Sequence, residues 1–253
     1  MGYPTLTVVP SNLKEAIDWL DAVKNNGDPA DIISLGAAVH DLLYRYPSEP
    51  GKLAFVEEVK AIVKKFFEKP ELVELEPIHS VLQRYYNSHC DDQGGWSYFF
   101  WSSKPNEPTN VVVDQCLTTD DVTEVIDSLA CRIEDFTSRL KPSGNDVSAY
   151  DSTANWADSC DADERLCAEI FVGIAPLYYA GLRALAAICK TAHHVAGPIG
   201  VEGNKLGALL SHMGFTVSSS DTDTRGEDIC KSLALPKETL NDVYDLAGFY
   251  AFC

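Results

Sequence analysis

Basic residues are scarce in this chain: 20 Lys and Arg stand against 38 Asp and Glu over 253 residues, a formal net charge of −18. A surface that acidic repels phosphate backbones and anionic lipid headgroups, which excludes nucleic acid as a partner. The motifs of common enzyme classes are missing too. No Gly-x-Gly-x-x-Gly opens a helix, no Gly-Lys-Ser phosphate loop is present, and neither Gly-x-Ser-x-Gly nor His-Glu-x-x-His occurs. Dinucleotide binding, phosphate-loop chemistry, serine hydrolysis and zinc proteolysis therefore lack their usual residues. Cys-x-x-Cys is absent despite eight cysteines, which removes zinc ribbons and thioredoxin-type pairs. No cofactor and no metal is expected. Strand-like patterning is confined to "TNVVVDQC" at 109–116, and no internal repeat is visible. The opening "MGYPTLTVVPSNL" has neither the basic start nor the apolar stretch of a secretory leader, and Leu6 stands where a myristoylation signal wants Ser or Thr. An extracellular protein would need a leader outside this sequence or an export route without one.

Against only two methionines, the chain carries cysteines at 90, 116, 131, 160, 167, 189, 230 and 253. An even number without metal spacing fits four disulfides made in an oxidising compartment. The alternative is eight reduced thiols in a cytosolic protein. About a hundred pairings are open to eight cysteines. The favoured bond joins Cys90 to Cys116, because the long segment between them gains roughly 3 to 4 kcal/mol from closure.

Helical periodicity dominates the rest. Ser11 or Asn12 can cap a helix lined by Leu13, Ile17, Leu20 and Val23, and Asp28-Pro29 opens a second with Ile32, Leu35, Val39, Leu42 and Tyr46 on one face. Residues 52–69 set Phe55, Val59, Ile62, Val63 and Phe66 against Glu58, Lys60, Lys64 and Lys65, and Pro70 closes that helix. Ile78, Val81, Leu82 and Tyr85 mark a fourth helix running to Cys90. "TTDDV" caps a fifth from Thr118 or Thr119 to Leu140. Leu206, Leu209, Leu210 and Met213 mark a short helix, and residues 237–252 a last one. The predicted class is all-α, a disulfide-stabilised array of long antiparallel helices with extended loops, read as one unit over 1–253.

"IFVGIAPLYYAGLRALAAIC", residues 170–189, has the length of a membrane span. Its eight Leu, Ile, Phe and Val residues favour insertion, but Arg183, Pro176 and two tyrosines work against it. The run is expected to be a core helix kinked at Pro176, where the N–H is lost. No membrane span is expected in this chain.

Three features could carry function. "GGWSYFFW" at 94–101 packs Trp96, Tyr98, Phe99, Phe100 and Trp101 into six positions between Gly and Pro residues. Such a loop either folds over the bundle or stands out as a partner-binding surface. "DSTANWADSCDADE" crowds Asp151, Asp158, Asp161, Asp163 and Glu164 into what reads as a solvated loop, without the central Gly and ordered spacing of a calcium site. His89 beside Cys90 could form a thiol–imidazole pair. His193 and His194, adjacent on a helix, point about 100° apart and suit a helix C-terminus better than a metal.

"PSNLKEAIDWL" at 10–20 resembles the opening of the variant erythrocyte surface antigens of Babesia. "IFVGIAPLYYAGL", the Gly-Pro-Ile-Gly stretch at 197–200 and "LGALLSHMGF" at 206–215 are similar to later blocks of that family. The resemblance implies a non-enzymatic ectodomain, cysteine-rich, on the infected-cell surface, with its anchor outside this chain. It implies adhesion to a host cell-surface receptor, recognition by antibody, immune evasion and antigenic variation. Loops near 91–117, 142–163 and 216–228 would then carry the variable surface. A cytosolic all-α adaptor with reduced cysteines is the alternative, and a helical enzyme using His89 or His193 is a third reading.

Overall fold

Asn12 starts the first helix, α1 (Leu13–Lys24): its Oδ1 accepts the Glu15 N–H at 3.0 Å, and the Glu15 carboxylate accepts the Ser11 N–H at 2.7 Å. Thr118 and Asp121 form a similar reciprocal pair, at 2.7 and 3.2 Å, ahead of the 22-residue helix Thr119–Leu140. These pairs satisfy N–H groups that a helix start leaves open. The Thr118 hydrogen bonds hold the Asp121 carboxyl below its ordinary range.

The computed structural model describes residues 2–24, 29–45, 53–87, 110–140, 147–194, 200–216, 227–233 and 237–252. After α1 come α2 (Pro29–Arg45), α3 (Ala54–Phe67), α4 (Glu76–Asn87), the short α5 (Val111–Asp114), α6 (Thr119–Leu140) and α7 (Trp156–Ser159). α8 (Glu164–Pro176) runs through a π-helical turn (Leu177–Gly181) into α9 (Leu182–His194). Then follow α10 (Gly200–His212), α11 over 227–232, and α12 (Lys237–Ala251). The fold is all-α: no strand occurs among the described residues, where one bridge joins Tyr3 to Tyr150. The strand-like stretch is instead helical, because Asn110 caps α5 by accepting the Val112 N–H at 3.2 Å.

α8 is the axis of the molecule. It packs against α2, α3 and α12, while α6 lies on α2 and α12. Residues Glu164–Lys190 have the length and a mean hydropathy of 1.5 that would suit a membrane span, yet 83% of that apolar window is buried inside the protein. Every residue from Cys167 to Leu182 is buried. Pro176 ends the α-helical register, and the wider π turn follows at once, so the missing N–H is absorbed by a change of helix type.

Two glycines set how closely helices approach that axis. A Cβ on Gly173 of α8 would lie 2.6 Å from Val59 of α3. On Gly36 of α2 it would lie 2.9 Å from the Thr123 Cα of α6. Neither crossing leaves space for a side chain.

The amino-terminal residues form a strap over α1. Leu6 is fully buried, its carbonyl accepts the Trp19 indole N–H at 2.7 Å, and its N–H donates to Ser159 Oγ at 3.0 Å. Tyr150 donates its hydroxyl to the Val8 carbonyl at 2.6 Å. In the stretch expected as a solvated acidic loop Asp158, Asp161, Asp163 and Glu164 are exposed, while Ala154, Trp156, Ser159 and Cys160 between and beside them are buried. Three of its acids make local capping contacts. Asp151 accepts the Thr153 N–H at 2.9 Å, Asp158 accepts from Asn155 at 2.8 Å, and Asp163 caps α8 by accepting the Leu166 N–H at 3.1 Å.

Candidate functional site

The aromatic residues Trp96, Tyr98, Phe99, Phe100 and Trp101, with His89 and Cys90, lie outside the described residues. Both flanks are anchored. On one side Tyr85 of α4 donates its hydroxyl to the Ala251 carbonyl of α12 at 3.0 Å. On the other the Asn110 amide donates to the Leu43 carbonyl of α2 at 2.5 Å. Both flanking helices are thus fixed on the helical array.

Three of the four stretches singled out for their resemblance, 10–20, 170–182 and 206–215, meet in space. The Lys14 N–H at the head of α1 donates to the Met213 carbonyl at the end of α10, at 3.1 Å. Gly214 turns at φ +102°, and a Cβ there would lie 2.5 Å from Asn12 Oδ1. From the π turn, Tyr178 donates its buried hydroxyl to the Ala16 carbonyl at 2.6 Å, and Gly181 abuts Leu13. Burial drives the Tyr178 pKa well up, keeping it a neutral donor. These segments are a structural junction: their polar groups are turned on one another and their apolar side chains are in the core. Sequence separation hid the junction, since Ala16 and Tyr178 stand 162 residues apart.

Cysteine chemistry is divided. Cys160–Cys167 closes the start of α8 and Cys189–Cys230 ties α9 to α11, with S–S distances of 2.06 and 2.08 Å. Cys116 and Cys131 are exposed free thiols. The favoured Cys90–Cys116 bond is therefore not formed, and a set of four disulfides is excluded. The physical reason is position: Cys116 follows α5 at φ +52°, directing its thiol to the Val113 carbonyl at 3.7 Å. Cys253, like Cys90, lies outside the described residues.

Three polar arrangements remain. A groove of about 540 Å³ runs between α2 and the start of α8, lined by Ala37, Asp41, Arg45, Asp161, Asp163 and Arg165. No group of three His, Cys, Asp or Glu side chains is placed to hold a metal ion among the described residues. His193 and His194 close α9.

On α1, the Lys14–Asp18 pair is buried at 2.7 Å, and Asp18 also accepts the Ala149 N–H at 2.9 Å. Beside it Asp21 is half-buried, and burial, then the carboxylates of Asp18 and Glu134, push its pKa up to about 6. A carboxyl raised by folding stabilises the protein fully below its unfolded pKa, and that contribution is lost as pH rises through 6. The loss by pH 7.5 is at most about 3 kcal/mol. Asp21→Asn is expected to stabilise the protein by about 1–2 kcal/mol at pH 7.5 and to leave it unchanged at pH 4. Urea unfolding at the two pH values checks this, and an equal effect at both would show that the charge is not strained.

The third arrangement was not foreseen. Arg183 donates to the Tyr179 hydroxyl at 2.7 Å and lies 4.9 Å from that ring's centre. The Tyr179 ring meets Tyr244 at 4.9 Å, and Arg84 sits over Tyr244 at 5.2 Å while bonding its hydroxyl. Phe252 closes the stack from below, 5.5 Å from Tyr179 and 4.6 Å from Tyr244. Only the Tyr179–Arg183 step, one helical turn apart, could have been seen in the sequence. No family model, curated protein or solved structure matches this chain.

Proposed function

We propose that the chain is a non-enzymatic recognition ectodomain, a disulfide-stapled helical scaffold that presents connecting segments to a host cell-surface receptor or antibody, in the manner of a variant parasite surface antigen. The observation that carries this reading is the junction of three of the four resembling stretches. They form the framework of α1, the π turn and α10, so chemistry tied to the resemblance goes into holding the fold, and recognition is left to the segments that connect the helices. Two disulfides in the second half of the chain support an oxidising, extracellular setting. Loop-closure entropy grows slowly with length, so such a frame tolerates loop change cheaply.

The exposed thiols Cys116 and Cys131 are the observation on the side of a cytosolic adaptor. Intact mass after alkylation of the native protein, with and without reductant, separates the two. The expected result is reaction at Cys116 and Cys131 without reductant, with Cys160, Cys167, Cys189 and Cys230 reacting only after reduction. Alkylation of all eight without reductant would replace the ectodomain by the adaptor. The receptor arm is a screen of the multimerised chain against host surface proteins; absence of any binder for correctly oxidised protein would remove the recognition role.

A further inference from the structure

The aromatic–guanidinium stack lies at the surface where α4, the π turn, α9 and α12 come together, and its parts are graded in burial. Tyr179 is 2% exposed and Phe252 fully buried, whereas Tyr244 and Arg183 are half-buried and Arg84 is exposed. Two guanidinium groups are thus held at the rim of a rigid aromatic base. Each is pinned twice, by a tyrosine ring and by that tyrosine's hydroxyl. Burial pushes the Tyr179 pKa up to about 12, so the hydroxyl stays protonated beside its arginine.

Arginine has five N–H donors in a planar fork. Arg84 commits one nitrogen to Tyr244. No acidic residue stands three or four positions from it on α4, and no ion pair joins it to a carboxylate among the described residues. The remaining edge of the fork has the geometry that grips a carboxylate through two parallel hydrogen bonds. Pinning matters because a free arginine side chain gives up rotamer entropy when it binds, and one already fixed on a ring has given it up in folding. In a chain of net charge −18, Arg45, Arg139 and Arg165 are each matched by a carboxylate one helical turn away, at 2.7, 3.0 and 2.7 Å.

We propose that Arg84, with Tyr244 and Arg183 beside it, is a binding site for a single carboxylate side chain of a protein segment. The site rests on the recognition reading above only for the nature of that ligand. A carboxylate is favoured over a polyanionic glycan because the site offers one open fork on a small apolar base, while the surrounding field of the chain opposes a ligand carrying many charges.

The test is fluorescence anisotropy of a labelled Glu-containing decapeptide titrated with the whole oxidised chain. Binding is expected, with Arg84→Gln weakening it about tenfold, Tyr244→Phe weakening it less, and Arg139→Gln leaving it unchanged. Unfolding midpoints of the variants confirm that each is folded, and Arg84→Lys, which keeps the charge but not the fork, is expected to restore only part of the affinity. Equal binding by native protein and Arg84→Gln would overturn the site, as would absence of peptide binding by folded native protein. Tighter binding of a sulfated oligosaccharide than of the peptide, lost in Arg84→Gln, would overturn the ligand assignment. A host receptor bound equally by native protein and Arg84→Gln would leave the recognition role standing and remove this site from it.

Discussion

Trp19→Ala is expected to cost about 3–5 kcal/mol of unfolding free energy. Trp19 is fully buried in α1, so truncation removes the transfer energy of a large side chain and leaves a cavity that the packed helices around it cannot fill. The substitution also strips the Leu6 carbonyl of its indole donor, at 2.7 Å in the native fold, loosening the strap. Trp19→Phe keeps most of the volume and loses only the donor, for which about 1–2 kcal/mol is expected. Urea midpoints for the two variants separate cavity from hydrogen bond. A cost below about 2 kcal/mol for Trp19→Ala would mean that the strap and α1 are not packed as one unit.

Replacing Cys189 and Cys230 together by Ser has an effect of similar size. The bond spans 41 residues, and the chain-entropy relation gives about 4 kcal/mol for a loop of that length. The Cys160–Cys167 bond spans 7, for which the same relation gives about 2 kcal/mol. Against a typical domain stability of about 5–15 kcal/mol, loss of the longer bond removes a large share of the total. The two double variants, compared by urea unfolding under otherwise identical conditions, should rank in that order. Equal costs would show that native-state contacts, and not restriction of the unfolded chain, set the value of each bond.

Local chemistry made most helices readable. Asn12 and Thr118 carry the side chains that cap, and Leu13, Ile17, Leu20 and Val23 repeat at the helical period, so α1 and α6 could be placed without knowing their neighbours. "TNVVVDQC" misled because three consecutive valines suit a strand, whereas one cap from Asn110 and burial of Val112 were enough for a helical turn. The acidic stretch at 151–164 was legible in its exposed acids but not in its buried residues. Its charges are visible in sequence, but the docking of Ser159 depends on Leu6, 153 residues away in the chain. Disulfide partners and the Arg84–Tyr244 contact depend on tertiary distance alone, and no local pattern encodes a separation of 160 residues.

The strap has a consequence for synthesis. Leu6, Val8 and Ala16 find their hydrogen-bond partners at Ser159, Tyr150 and Tyr178. A ribosome adding about 5–20 residues per second leaves the first twenty residues without those partners for on the order of ten to thirty seconds. Through that interval the apolar face of α1, Trp19 included, has no completed core to enter. Although α1 precedes all three partners in the chain, it is thus among the last helices to be locked.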